Sequence, residues 1–177
     1  MKTATLIVIM SSLLSTTMFT PAFASSGKAF IPMIHARVAS TDNRVNCHTS
    51  LSNISNETVD ITITYYNASG TVIVDGDGST STGPIRVVSG AVTNYVENPA
   101  SGSVEFSLGA NETAVVMLKS DSDGSSFTIG YGTIEWEKNS VNGVALISQV
   151  FIDEFIRDSQ KSSHGYYAIP VNNGLPF

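Results

Sequence analysis

The chain has 177 residues, a net charge of −6 at pH 7 and 42% hydrophobic side chains, enough for one globular domain with its own core. Its acidity argues against nucleic acid or an anionic membrane surface as the main partner. Cys47 is the sole cysteine, which excludes an intramolecular disulfide.

The first predicted element is an export leader. Lys2 provides a positive start, a short apolar stretch runs through Leu14, and Ala22-Phe23-Ala24 has the small-x-small pattern of a cleavage site. This arrangement is typical of a secretory signal peptide and is too short for a membrane anchor. We expect a signal peptide over residues 1–24 and one domain over residues 25–177, without a transmembrane segment in the mature chain. The expected location is the periplasm, cell surface or extracellular space of a bacterium.

From residue 25 onward, apolar and polar side chains alternate with period two between turn residues, which predicts short β-strands. The turn at Asn67-Ala68-Ser69-Gly70 predicts a hairpin. For residues 144–156 we expect a strand up to Asp153, followed by a turn or short helix through Lys161. The predicted strands cover residues 30–34, 45–54, 59–66, 71–74, 85–88, 104–108, 113–119, 127–137, 144–153 and 164–171.

This pattern predicts the fold class. About nine short strands with turn signals every 8–12 residues are typical of an all-β, single antiparallel β-sandwich domain. We expect an immunoglobulin-like or jelly-roll-like sandwich, with a barrel as the lesser alternative.

Two acidic turns share the pattern Asp-x-Asp-Gly and are candidate calcium sites, with ligands Asp75, Asp77, Asp121 and Asp123. Calcium prefers carboxylate and carbonyl oxygens gathered by a glycine-permitted bend. Hairpin turns use the same residues without any metal, so both interpretations remain open. We predict no other cofactor.

The strand over residues 127–138 carries the best candidate ligand site. One face holds Phe127, Ile129, Tyr131 and Thr133, and the other holds Gly130, Gly132, Ile134 and Trp136. If the Phe127 face packs in the core, Trp136 lies beside a strip without side chains that a sugar ring or extended peptide can contact. The alternative is that Trp136 packs in the core.

The sequence lacks the patterns of a catalytic centre. His35, His48 and His164 do not have the tight spacing of zinc ligands, and Gly-x-Ser-x-Gly is absent. Glu135 and Glu137 share one face of a strand, which is more typical of a solvated surface than of a glycosidase pair. We therefore predict a protein that is not an enzyme.

These observations favour an exported, non-catalytic structural or interaction protein of the cell surface or matrix, such as an appendage, adhesion or matrix subunit. Its expected partners are protein neighbours that contact the edges of its sheet. The first alternative is a carbohydrate-binding module that holds polysaccharide on the Trp136 face. The second is a small secreted hydrolase.

Overall fold

A computed structural model describes residues 25–40, 43–119, 127–140, 143–158 and 161–177. The predicted signal peptide and the acidic turn with Asp121 and Asp123 lie outside these residues. The strands are β1 (Ser25–Ser40), β2 (Asn43–Asn53), β3 (Val59–Asn67), β4 (Ile85–Gly90), β5 (Val92–Asn98), β6 (Ser103–Leu108), β7 (Thr113–Leu118), β8 (Phe127–Lys138), β9 (Leu146–Arg157) and β10 (Ser162–Pro170). Within the described ranges, no helix has the length and apolar character needed to cross a membrane.

The predicted all-β class and antiparallel pairing are confirmed, but the described strands number ten. The sequence pattern does not reveal β5. A register shift between Thr93 and Val96 and a positive φ of 53° at Asn94 interrupt its alternation. Residues 71–74, predicted as a strand, form only a single bridge between Val72 and Tyr66.

A sandwich of separate sheets is not confirmed, because hydrogen bonds join all ten strands into one sheet. β9 pairs with β2 along Asn43–Asn53, while the opposite edge of β2 pairs first with β1 and then with β7. The sheet divides at this point into two arms. The β8 arm contains β1, β8, β3, β6 and β5, and the β9 arm contains β10, β9, β2, β7 and β4.

The two arms pack against each other around one hydrophobic core in a nearly closed, barrel-like arrangement. Tyr65 of β3 and Thr49 of β2 are fully buried, and their hydroxyl oxygens lie 2.9 Å apart, which links the arms. Gly90 allows the chain to pass from β4 in one arm to β5 in the other. Its φ is +108°, and a Cβ there would lie 2.3 Å from the Thr113 carbonyl oxygen.

The hairpin of β9 and β10 extends the β9 arm beyond the predicted turn. Because residues 153–156 pair with both β2 and β10, and Arg157 still pairs with Ser162 of β10, β9 continues to Arg157 and does not turn at Asp153. After β10 the chain returns to the core, where Val171 is buried and the Phe177 backbone exchanges hydrogen bonds with Leu146. β10 is left at the end of the sheet.

Candidate functional site

Trp136, the predicted ligand platform, lies in the core. β8 pairs with β1 on one side and β3 on the other, so its inward side chains meet the facing arm. Trp136 is 3% exposed, Ile134 is fully buried, and Tyr131 on the opposite face is exposed. The face with Ile134 and Trp136 is therefore the inward one, whereas a platform at Trp136 requires the Phe127 face to be inward. A stacking platform needs an open ring face, so the core alternative for Trp136 holds in this structure.

Gly27 beside Trp136, and Gly130 and Gly132 farther along β8, allow close packing and do not leave an empty strip. A Cβ at Gly27 of β1 would lie 2.4 Å from the Trp136 indole nitrogen, so the ring packs directly over this glycine. A Cβ at Gly130 would lie 1.8 Å from the Tyr66 carbonyl oxygen, and one at Gly132 would lie 3.0 Å from the Ile31 side chain. Protein atoms fill the strip that was predicted to receive a ligand.

The outer face of the β8 arm carries a polar groove of about 700 Å³. Four carboxylates line it, from Asp60, Glu105, Glu135 and Glu137. Lys28 forms an ion pair with Glu135, and this hydrogen bond raises the pKa of Lys28. The other three carboxylates have no ion-pair partner among the residues described. The groove is therefore rich in acceptors for hydroxyl or ammonium donors.

Hydrogen bonds order one end of this groove. The Asn94 amide donates to the Ser107 hydroxyl at 3.1 Å, and that hydroxyl donates to an Asp60 oxygen at 2.6 Å. Glu137 lies opposite Asp60 in the β8–β3 register. Asn94 is on the unpredicted β5, so sequence reasoning missed this connection.

The acidic turn at residues 75–78 gathers Asp75 and Asp77 with Glu97 of β5, with ligand atoms within 4.8 Å of one another. Burial raises the pKa of Asp75, and the neighbouring Glu97 carboxylate adds to this increase. The hydrogen bond from the Ile85 N–H acts in the opposite direction and lowers it. That bond and the Gly78 N–H bond to Glu97 already satisfy part of the carboxylate set. Calcium binding here stays a prediction, and its partner turn at Asp121 and Asp123 lies outside the described residues.

The histidines and Cys47 occupy different environments. Burial lowers the pKa of His35 and of His48, opposed by Glu154 and Asp153 respectively. Cys47 points into the core, and burial raises the pKa of its thiol to about 11. His48 lies on the other face of β2 and stacks on Phe151 at 4.7 Å. The thiol and the adjacent imidazole therefore lie apart, as strand geometry predicts.

β10 forms an exposed, aromatic sheet edge. It pairs with β9 over Ser162–Pro170 without a register shift, and its opposite side has no partner among the described strands. Tyr166 is 68% exposed and Tyr167 is 57% exposed, on opposite faces. The β10 sequence contains no Asp, Glu, Lys or Arg.

Ring contacts across β2, β9 and β10 hold the outward-facing side chains of this edge. The Arg44 guanidinium lies 4.9 Å from the Phe155 ring, which lies 4.8 Å from His164. His164 in turn lies 6.4 Å from Tyr166, with nearly parallel planes. These contacts place the four side chains next to one another along the outer face of the hairpin.

No protein-family model matches this chain, and no functionally curated protein does. Among solved structures, the chain is similar to one described as the crystal structure of Thermotoga maritima 1070, with a TM-score of 0.42 and 11% identity. The alignment covers 81% of this chain and 92% of the other. A similarity of this size carries no argument about function.

Proposed function

We propose that this protein is an exported, non-catalytic structural or interaction protein that contacts protein neighbours through the open edge of β10. The observation that carries the proposal is that edge: nine residues in unbroken register with two exposed tyrosines. An unpaired strand presents a row of N–H and C=O groups to which another strand can be added. The leader pattern at the N-terminus supports the exported location.

The other edges of the sheet carry features that oppose strand addition. β4 and β5 are shorter, and each contains a register shift. The unpaired stretch of β1 contains Pro32 and a register shift between Ile31 and Ile34. Each of these edges also carries a charged side chain: Arg86, Glu97 and Lys28, respectively. Bulges, charges and prolines are the means by which proteins protect sheet edges, and β10 lacks all three before its terminal Pro170.

The proposal is tested by placing a photo-crosslinking amino acid at Tyr166 in cells that export the protein. The matched control is Val96 of β5, which is 53% exposed on a protected edge. We expect a discrete protein adduct from position 166 and none from position 96. If Tyr166 and the flanking positions His164 and Ala168 all give no adduct, the proposed function is wrong.

Saccharide binding is a second candidate function, and the outer groove of the β8 arm favours it. Carboxylates, hydroxyls and an amide line this groove, and sugar hydroxyls can donate to and accept from such groups. This proposal places the site among the outward-facing carboxylates of the groove, whose lining also includes Trp136.

The saccharide proposal is tested by retention of the mature protein on immobilised polysaccharides. The double variant Asp60→Asn and Glu137→Gln is expected to lose retention, while Glu154→Gln in the β9 arm serves as the control. Binding that survives the double variant would remove the groove from consideration.

A further inference from the structure

We propose that the neighbour at the β10 edge is a second copy of this chain, paired antiparallel about a two-fold axis with Tyr166 opposite the partner's Tyr166. This inference rests on the function proposed above and names the partner of the same edge. Three observations carry it: the direction of the backbone groups, the side chains that a two-fold pairing brings together, and the charge of the strand.

The first observation identifies the free backbone groups. The Asp158 N–H donates to the Lys161 carbonyl at 2.9 Å, which makes this pair a hydrogen-bonded pair of the hairpin. Because hydrogen-bonded and non-hydrogen-bonded pairs alternate along antiparallel strands, the register then assigns every residue of β10. Residues 163, 165, 167 and 169 direct their backbone groups toward β9. Ser162, His164, Tyr166 and Ala168 direct theirs toward the open side.

Pro170 agrees with this assignment. In the same alternation it faces the open side, so β9 loses no hydrogen bond where proline lacks an N–H. Residues 171–174 then form a short 3-10 turn that begins after Pro170, so the edge row ends there. The free groups form a regular row from Ser162 to Ala168.

The second observation concerns register. A two-fold pairing centred on Tyr166 and one centred on Gly165 form similar numbers of backbone hydrogen bonds. The contacts between side chains therefore distinguish the two registers. Centring on Tyr166 places Tyr167 opposite the partner's Gly165, where the ring covers the bare glycine, an arrangement that stabilises paired strands. It also brings the two Tyr166 rings together as a cross-strand aromatic pair. Centring on Gly165 would pair Tyr166 with the partner's His164, but it would place two glycines opposite each other and leave Tyr167 opposite the partner's Ser163.

The third observation concerns charge. The chain as a whole is acidic, so two copies repel each other at long range. β10 itself carries no carboxylate or ammonium group, and the nearest acidic side chains, Asp153 and Glu154, belong to β9. Pairing through β10 therefore brings no like charges directly opposite each other. We expect a weak dimer whose population rises with protein concentration and whose affinity rises with salt.

Cysteine scanning of the mature chain tests both the partner and the register. Native Cys47 does not interfere, because it is buried and its thiol pKa is about 11. We compare Tyr166→Cys with His164→Cys, Gly165→Cys and Ala168→Cys under mild oxidation. Residues in a hydrogen-bonded pair have Cα atoms about 5.5 Å apart, which suits a disulfide. The predicted register separates the two copies of residue 164 by roughly 13 Å, and likewise those of residue 168.

We expect disulfide-linked dimers from Tyr166→Cys at no less than about ten times the yield of the other three variants, a ratio worth ~1.4 kcal/mol. A dominant yield from Gly165→Cys would overturn the register. Sedimentation of the unmodified protein supplies an independent measurement. We expect dimers that Ala168→Lys weakens at least tenfold and that the control Val96→Lys leaves unchanged.

Dimers that persist unchanged in Ala168→Lys would overturn the inference, since they would use another surface. A strictly monomeric protein at high concentration would also overturn it. If position 166 still crosslinks to a different protein, the proposed function stands and only the second copy is rejected. If neither association is found, both proposals fall.

Discussion

β8 and β10 both contain aromatic residues and glycine, but they have opposite environments. β8 is paired on both sides and faces the other arm, so Trp136 is 3% exposed. β10 is paired on one side only, and Tyr166 is 68% exposed. The comparison shows that a strand's place in the sheet decides whether its aromatic side chains stabilise the fold or remain available to a partner.

The largest expected difference between the two strands is the cost of removing their rings. Trp136→Ala should lower the free energy of unfolding by about 3–5 kcal/mol, because it leaves a cavity in the core. Tyr166→Ala should change it by less than about 0.5 kcal/mol in the dilute monomer while it weakens association. Urea unfolding measures both values. Similar losses for the two variants would contradict the contrast.

The pH dependence of the free energy of unfolding tests whether the Cys47 thiol lies in the interior, in contrast to the exposed side chains of β10. Burial raises the thiol pKa of Cys47 from 9.0 to about 11, so the unfolded chain releases this proton first as pH rises. Stability should therefore fall between pH 9 and pH 11, and the Cys47 thiol should account for up to about 3 kcal/mol of that loss. Urea unfolding across this pH range should show a shallower decline for Cys47→Ala than for the unmodified protein. Equal slopes would show that the thiol is not buried.

Replacing a glycine by alanine adds one methyl group to each strand, and the change in stability shows how closely that strand is packed. Gly130→Ala should destabilise the protein by about 1–3 kcal/mol, because its Cβ meets the Tyr66 carbonyl oxygen. Gly165→Ala should be close to neutral in the monomer, since its nearest contacts lie at 3.7 Å. Thermal unfolding distinguishes the two outcomes. A neutral Gly130→Ala would mean that β3 and β8 are not closely packed here.

The smallest expected effect concerns the hydrogen bond that joins the arms. Tyr65→Phe should cost about 1 kcal/mol, because it leaves the buried Thr49 hydroxyl without its partner. The double variant Tyr65→Phe and Thr49→Val should cost less than the sum of the single variants. A double-mutant cycle by urea unfolding measures this coupling, and simple additivity would argue against a direct bond.

Local patterns predicted much of the fold. The predicted bounds of β3, β6 and β7 lie close to the observed ones. In these strands every second side chain is apolar and faces the core, without a bulge. β5 was not predicted, because a bulge breaks its alternation. For the same reason Asn94 of the groove and Glu97 of the acidic turn were not predicted as site residues. Alternation also left the inward face of β8 open between two alternatives. Both of its faces carry large apolar or aromatic side chains, so alternation alone cannot choose between them.

The sequence by itself determined an acidic chain with one cysteine, a leader-like N-terminus and an all-β antiparallel domain. Those properties follow from composition and from period-two alternation, which depend only on neighbouring residues. The tertiary structure alone decided that the sheet divides at β2, that Trp136 is buried and that β10 is left at an edge. These features depend on which strands pair, and such contacts join residues far apart in the chain.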